Sequence, residues 1–197
     1  MQTIEAASVF KEPLLLASTS PRRAEILRAV GWPFTIHAPN VDESRIAGEG
    51  PANYVRRLAR MKAAAVAARQ TEGLVLGADT IVVAGSAILG QPRDPEDARC
   101  MLQLLRGKWH EVLTGAALVR AGADGCSVVD HAITRVRFSQ MSDHEIEWYV
   151  ATGEPMGKAG AYAVQGHAAL FIEEIKGDYF NIVGLPVKLV YELACKI

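Results

Sequence analysis

Cysteine is scarce in this chain of 197 residues: only Cys100, Cys126 and Cys195 occur. An odd number at wide spacing excludes a disulfide framework and a zinc site. Buried or inert thiols in a reducing cytosol are the expectation. Long apolar runs are missing too, and none approaches the ~20 residues that span a bilayer. The opening MQTIEAASVFKEP lacks the basic start and apolar stretch of a signal peptide, which points to a cytoplasmic protein. Net charge is only −1. A general nucleic-acid-binding or membrane-binding surface is therefore not expected, and any anion site must be local. Internal repeats and low-complexity segments are absent, as are HExxH, GxxxxGK[ST], GxGxxG and GxSxG. What remains is ordinary globular composition, 50% hydrophobic and 22% charged, enough for one domain or one with two lobes.

The most informative stretch is LLLASTSPRR, Leu14 to Arg23. Its apolar start reads as a buried strand. Ser20 suits an N-cap and Pro21 the first helical position, so a helix begins here and can end at Gly31. The first turn then gathers backbone N–H groups, the hydroxyls of Ser18 and Thr19, and the guanidiniums of Arg22 and Arg23. Two arginines oppose the helix dipole, so as solvated charges they bring no gain. Facing a multivalent anion they gain from amides, dipole and bidentate pairing together.

Further along, Phe34 to His37 reads as a short strand and Val41 to Ser44 as a polar loop. Ala52 to Arg69 has helical periodicity, with Tyr54, Val55, Leu58, Met61 and Val66 near one face. GLVLGADTIVVAG has strand composition, interrupted by Asp79 and Thr80. Asp94 and Pro95 start a helix that runs to Gly107. Residues 110–119 and 128–138 read as antiparallel strands joined at 121–125. Ser142 to Glu145 is a capping box before another helix. A glycine-punctuated segment follows, then the strand-like FIEEI, a turn at 176–178, and a last helix from Pro186 to about Cys195. Helices and strands are mixed with at least one hairpin, which predicts an α/β fold on a mixed sheet.

Asp79 lies in apolar company. A carboxylate there is either buried and paired, or faces a cleft to bind metal or activate water; small Gly77 and Ala78 favour the second. Asp42 and Glu43, taken alone, are solvated loop acids. Lys62, on a helix rich in alanine, reads as surface charge. Lys158, Tyr162 and Gln165 sit among glycines that either let backbone approach a ligand or simply turn the chain. Gln165 could pair with a base edge. His110 has no second ligand at metal spacing and reads as structural.

As a set these motifs are familiar. LASTSPRR, VDE at 41–43, RLARMKA at 57–63, GADTIV at 77–82, GQPRD at 90–94, WHEVLTG at 109–115, GKAGAYAVQG at 157–166 and GDYFNIVGLP at 177–186 occur in order. Together they closely resemble the Maf family of nucleoside triphosphate pyrophosphatases. The match makes 13–197 a single catalytic domain behind an N-terminal extension at 1–12. The resemblance implies an α/β fold like that of the inosine-triphosphate pyrophosphatases, with an elongated mixed sheet and two lobes around a cleft. It implies cleavage at the α–β bond to monophosphate and diphosphate, a divalent metal (Mg or Mn) and a homodimer. Carried residue by residue, Asp79 is the proton acceptor, helped by Lys62. Ser18, Arg22, Arg23 and Lys62 hold the triphosphate, and Glu43 joins Asp79 at the metal. Thr80, Gln91, Lys158 and Gln165 contact substrate.

Members that resemble the dTTP/UTP type have Arg after SP, Thr after the acidic residue and Gln in the AGAYxxQG loop. This chain has Arg22, Thr80 and Gln165, which favours a pyrimidine. One departure stands out: the family's GKP is Gly90-Gln91-Pro92 here. The change removes a charge from a site that must neutralise about four, and Arg93 is the nearest replacement. The alternative reading is a nucleotide-binding regulator of septum formation or division, with weak or no catalysis.

Overall fold

The computed structural model describes residue 12 and residues 14–122 and 125–197. The chain forms two compact units. One comprises the chain up to Asp79, Thr114–Ala132 and Gly184–Ile197; the other comprises Thr80–Leu113 and Ile133–Val183. The extension expected at 1–12 lies outside the described residues apart from Glu12, which pairs with Arg120.

Among the described residues, seven strands form one mixed sheet: β1 (Leu14–Ala17), β2 (Phe34–Ile36), β3 (Leu74–Ala84), β4 (Ala87–Leu89), β5 (Trp109–Arg120), β6 (Ser127–Phe138) and β7 (Ile172–Lys176). Their order is β2-β1-β3-β5-β6-β7, with β4 on β3. β1 runs parallel to both β2 and β3, whereas β3–β4 and β6–β7 are antiparallel. β1 is buried at every residue, as a continuous apolar run between parallel neighbours should be. The polar pair Asp79-Thr80 does not interrupt β3. Backbone pairing carries the strand through it, and short β4, absent from the sequence reading, caps its far end.

In the first unit α1 (Pro21–Ala29) follows β1, α2 (Pro51–Ala67) packs on the sheet, and α6 (Val187–Ala194) closes the chain. The core joins Leu15, Ala17 and Val75 to Ala59, Ala63 and Val66 of α2. Small residues are required at this contact. A Cβ on Gly77 would stand 2.2 Å from the Ala59 carbonyl oxygen, and one on Gly115 2.3 Å from that of Val55. Neither backbone atom can swing away, so glycine sets how closely α2 lies on β3 and β5. The fully buried Val55, Leu58 and Val66 hold it there, each contributing roughly 1.5–3 kcal/mol.

In the second unit α3 (Pro95–Leu105) starts as the sequence predicts, with the Asp94 carboxylate accepting from the Asp97 amide at 2.8 Å. α4 (Asp143–Ala151) carries the full capping box of Ser142 and Glu145. His110, Phe138 and Tyr162 meet edge to face, and His110 Nε2 lies 2.9 Å from the Tyr162 hydroxyl. Burial pushes the His110 pKa down to about 4, so the ring is neutral near pH 7 and structural, as expected. The GDYFN motif turns into α5 (Tyr179–Val183). Its Asn181 amide donates to the Val112 carbonyl at 2.9 Å and to the Thr134 hydroxyl at 3.0 Å.

The cysteine expectation needs correcting in its buried half. All three thiols are exposed, since each falls at a helix face, a strand connection or a helix end rather than in a core. Among the described residues, no helix is long and apolar enough to cross a membrane.

Candidate functional site

β3 delivers Asp79 two residues beyond Gly77, where α2 lies closest. Lys62 projects from α2 at that level. Its Nζ donates to Asp79 Oδ1 at 2.7 Å and pairs with Glu43 Oε1 at 2.9 Å. Lys62 is only 7% exposed, so the sequence reading of it as surface charge fails. Only the contact with β3 shows the ammonium turned inward. Asp79 is likewise 7% exposed, yet it sits in a strand of a mixed sheet with an ammonium beside it. Burial raises its pKa above the ordinary carboxylate value, and the charge and hydrogen bond of Lys62, then the charge of Arg23, pull back against it. A carboxylate held so is a stronger base than a solvated one.

Glu43 is exposed, as a loop acid should be, but it is not simply solvated. Tyr54 donates from its hydroxyl to the Glu43 carbonyl at 2.8 Å. Arg57 donates to the Ser44 carbonyl at 3.0 Å and forks onto both carboxylate oxygens of Glu49 at 2.7 Å. Asp42 accepts from the Ser44 amide and hydroxyl at 2.9 and 2.6 Å, closing a local turn. The 42–49 loop is thus tied to α2, the helix that carries Lys62. Sequence periodicity marked Tyr54 as a core residue, and nothing in its spacing signalled the polar tip.

The third contributor is the β1–α1 junction. Ser18 is buried, and its Oγ accepts from the Ser20 amide at 3.2 Å and from Arg23 Nη1 at 3.1 Å. Arg23 Nε donates to the Gly184 carbonyl at 2.9 Å, which ties α1 to the GLP segment before α6. Ser20 holds the N-cap position, but its side chain does not cap the helix. Burial lowers the pKa of Arg23, while Asp79 raises it, Arg22 lowers it and Glu43 raises it. That ordering puts Arg23 within electrostatic reach of both carboxylates. Ser18, Arg23, Glu43, Lys62 and Asp79 therefore form one charged cluster within the first unit, beside Arg22.

The other expected residues belong to the second unit. Thr80 follows Asp79 directly in β3. Gln91 is exposed in the β4–α3 connection, and the Gly90 carbonyl there accepts from the Gly160 amide at 3.0 Å. Arg93, the nearest cation, is exposed and forks its guanidinium onto Asp97 at 3.1 and 3.2 Å. Lys158 donates to the Glu154 carbonyl at 2.5 Å, and Gln165 is exposed.

Among the described residues, no group of three His, Cys, Asp or Glu side chains could hold a metal by itself. Two carboxylates that already share one ammonium nevertheless fit a hard divalent cation that draws its remaining ligands from phosphate oxygens and water.

The family model for Maf-like proteins matches residues 13–197. The chain belongs to the Maf family. Relatives named dTTP/UTP pyrophosphatase align with this Maf protein over most of both chains. That of Symbiobacterium thermophilum is 52% identical over 89% of this chain and 89% of its own. That of Moorella thermoacetica is 52% identical over 91% and 92%, and that of Hahella chejuensis 50% identical over 93% and 94%. A solved dITP/XTP pyrophosphatase from Mycobacterium abscessus superposes with TM-score 0.39 at 15% identity, covering 66% of this chain and 75% of its own. The Maf match explains why eight short motifs scattered along the chain occur in one order.

Proposed function

We propose that this Maf protein is a nucleoside triphosphate pyrophosphatase that cleaves dTTP and UTP at the α–β bond, releasing the monophosphate and diphosphate. The observation that carries the reading is the buried Asp79 carboxylate, held by Lys62 and facing Glu43 across the same ammonium. The names of relatives about half identical to this chain support the substrate class.

In this reading Arg22, Arg23 and Ser18 bind the triphosphate through the β1–α1 junction, where guanidinium forks match phosphate oxygens. Lys62 engages Asp79 Oδ1, and Oδ2 takes the proton of the attacking water. The new O–P bond forms as the bridging P–O bond breaks, and diphosphate departs with the electron pair. Glu43 and Asp79 would hold a Mg or Mn ion, whose chemistry is to withdraw charge from the phosphates and acidify water. Thr80, Gln91, Lys158 and Gln165 contact substrate, and the Gln165 amide offers a donor and an acceptor that suit the O4/N3 edge of a pyrimidine. A homodimer and a cytoplasmic setting belong to the same reading; sedimentation and cell fractionation check them.

The test is a nucleotide panel with Mg²⁺ and with Mn²⁺, separating monophosphate from diphosphate products. The expected result is dTMP and UMP with diphosphate from the native protein, and binding without turnover in Asp79→Asn. Normal turnover by that variant, or diphosphate nucleosides as products, refutes the proposal.

A further inference from the structure

The segment 154–168 contains Lys158 and Gln165 but little regular structure. It holds one short 3-10 turn, Ala159–Ala161, and leads into a second, His167–Phe171, and its Gly157 and Gly160 have positive φ. A glycine-rich stretch of this length loses considerable entropy when it orders. Ala161, Tyr162 and Ala168 anchor it in the core, and a second anchor is one carboxylate. Glu154 accepts from the Tyr149 hydroxyl at 2.8 Å, the His167 amide at 2.9 Å, His167 Nδ1 at 2.7 Å and the Ala168 amide at 3.4 Å. Tyr149 in turn accepts from the Ala163 amide at 3.2 Å. The Glu154 carbonyl receives Lys158 Nζ. The carboxylate thus holds the end of the segment directly and its middle through the Tyr149 hydroxyl.

Two details show that the carboxylate also sets the conformation of the chain around Gln165. A Cβ on Gly166 would lie 2.3 Å from Glu154 Oε2, so the carboxylate packs directly against the backbone of the residue after Gln165. The amides of Ala163 and His167, on either side of Gln165, are both committed to this network. Gln165 itself stays exposed between these two committed amides. Burial alone would raise the Glu154 pKa, but the bonds from His167, Tyr149 and Ala168 outweigh it and hold the carboxyl ionised below its ordinary value.

We infer that Glu154 is a positioning residue for substrate recognition, clamping the 154–168 segment so that Gln165 and Lys158 meet the nucleotide already ordered. The inference rests on the proposed function, because it assigns those two residues to substrate. A clamp of this kind lowers the entropy lost on binding without touching the reacting atoms, so its removal weakens affinity and selectivity rather than the chemical step.

The experiment compares Glu154→Gln with the native protein in two measurements. Hydrogen exchange reads the amides of Ala163, His167 and Ala168 without substrate. Steady-state kinetics reads dTTP against GTP. Glutamine keeps the shape but turns a donor toward groups that are themselves donors. The expected result is faster exchange at the three amides, a KM for dTTP raised about tenfold with kcat within about twofold, and a smaller preference for dTTP. Tyr149→Phe, which removes two bonds of the network, the one to Glu154 and the one from the Ala163 amide, shifts both readouts the same way. Unchanged exchange overturns the clamp. Faster exchange with native KM and preference overturns its link to substrate. A native protein that releases no diphosphate from dTTP refutes the proposed function instead, whatever the exchange shows. A fall in kcat with KM unchanged would make Glu154 part of the chemistry and overturn the positioning role.

Discussion

Replacing Lys62 by methionine keeps the length and apolar stem of the side chain but removes its charge. The native ammonium lies 2.7 Å from Asp79, and the two side chains are 8% and 9% exposed. Breaking a buried pair from one side leaves an uncompensated charge, at a cost of about 3–5 kcal/mol. Arg23 also acts on Asp79 and softens the loss toward the lower figure. At roughly 2–4 °C per kcal/mol for a chain of this size, the melting temperature should drop by about 6–20 °C. The effect has a pH signature. Without Lys62, burial raises the Asp79 pKa still further above its unfolded value. A group whose folded pKa is raised stabilises the fold below its unfolded pKa, and that stability is lost as pH rises through the folded value. Lys62→Met should therefore lose stability from acid toward neutral pH more steeply than the native protein. Lys62→Met with Asp79→Asn should recover most of the loss and abolish the added slope. Thermal melts of the native protein, both single variants and the double variant, across pH 4.5 to 8 with chelator present, provide the assay. A Lys62→Met melting temperature equal to native, or a double variant no more stable than the single, refutes the buried-pair account.

Gly77→Ala forces a Cβ into the Ala59 carbonyl and should cost about 1–3 kcal/mol. Because the displaced helix carries Lys62, kcat should fall even at temperatures where circular dichroism shows the variant folded; native kcat with lowered stability would break that link. Gln91→Lys should raise kcat/KM for dTTP, since it restores the cation of the family's GKP; an unchanged value counts against a phosphate role for position 91. His110 is neutral with a pKa lowered to about 4, so it stabilises the fold at neutral pH, and about 3 kcal/mol should be lost as pH falls from 6.5 through 4. His110→Asn should flatten that acid limb in urea titrations; an identical limb points to another group.

Much of the architecture was legible locally. The helix starting at Pro95 and the capping box of α4 depend on residues within four positions of each other, and both occur as expected. β1 announced itself by an unbroken apolar run. β4 did not, because three residues carry too little pattern to separate a strand from a turn. Burial of the cysteines was misjudged because cysteine's tendency to be buried is an average, while exposure is set by where the helix and strand faces point. At the site, Asp79 was legible as a polar residue in an apolar strand. Lys62 and Glu43 read as solvated when taken alone and gained roles only through the family motifs. Glu154 and Tyr54 were not picked out for any polar role, since their importance lies in bonds to backbone groups far along the chain.

The amino-acid sequence by itself determined family membership, the mixed α/β class and the chemical types at each motif, because these follow from order, periodicity and caps. Only the tertiary structure decided which charges are buried and with whom. Gly77 brings α2 against β3, that contact turns Lys62 onto Asp79, and Tyr54 and Arg57 hold the loop carrying Glu43 to the same helix. The physical reason is that a charge takes its meaning from its desolvation and its partner, and both are fixed by segments far apart in the chain.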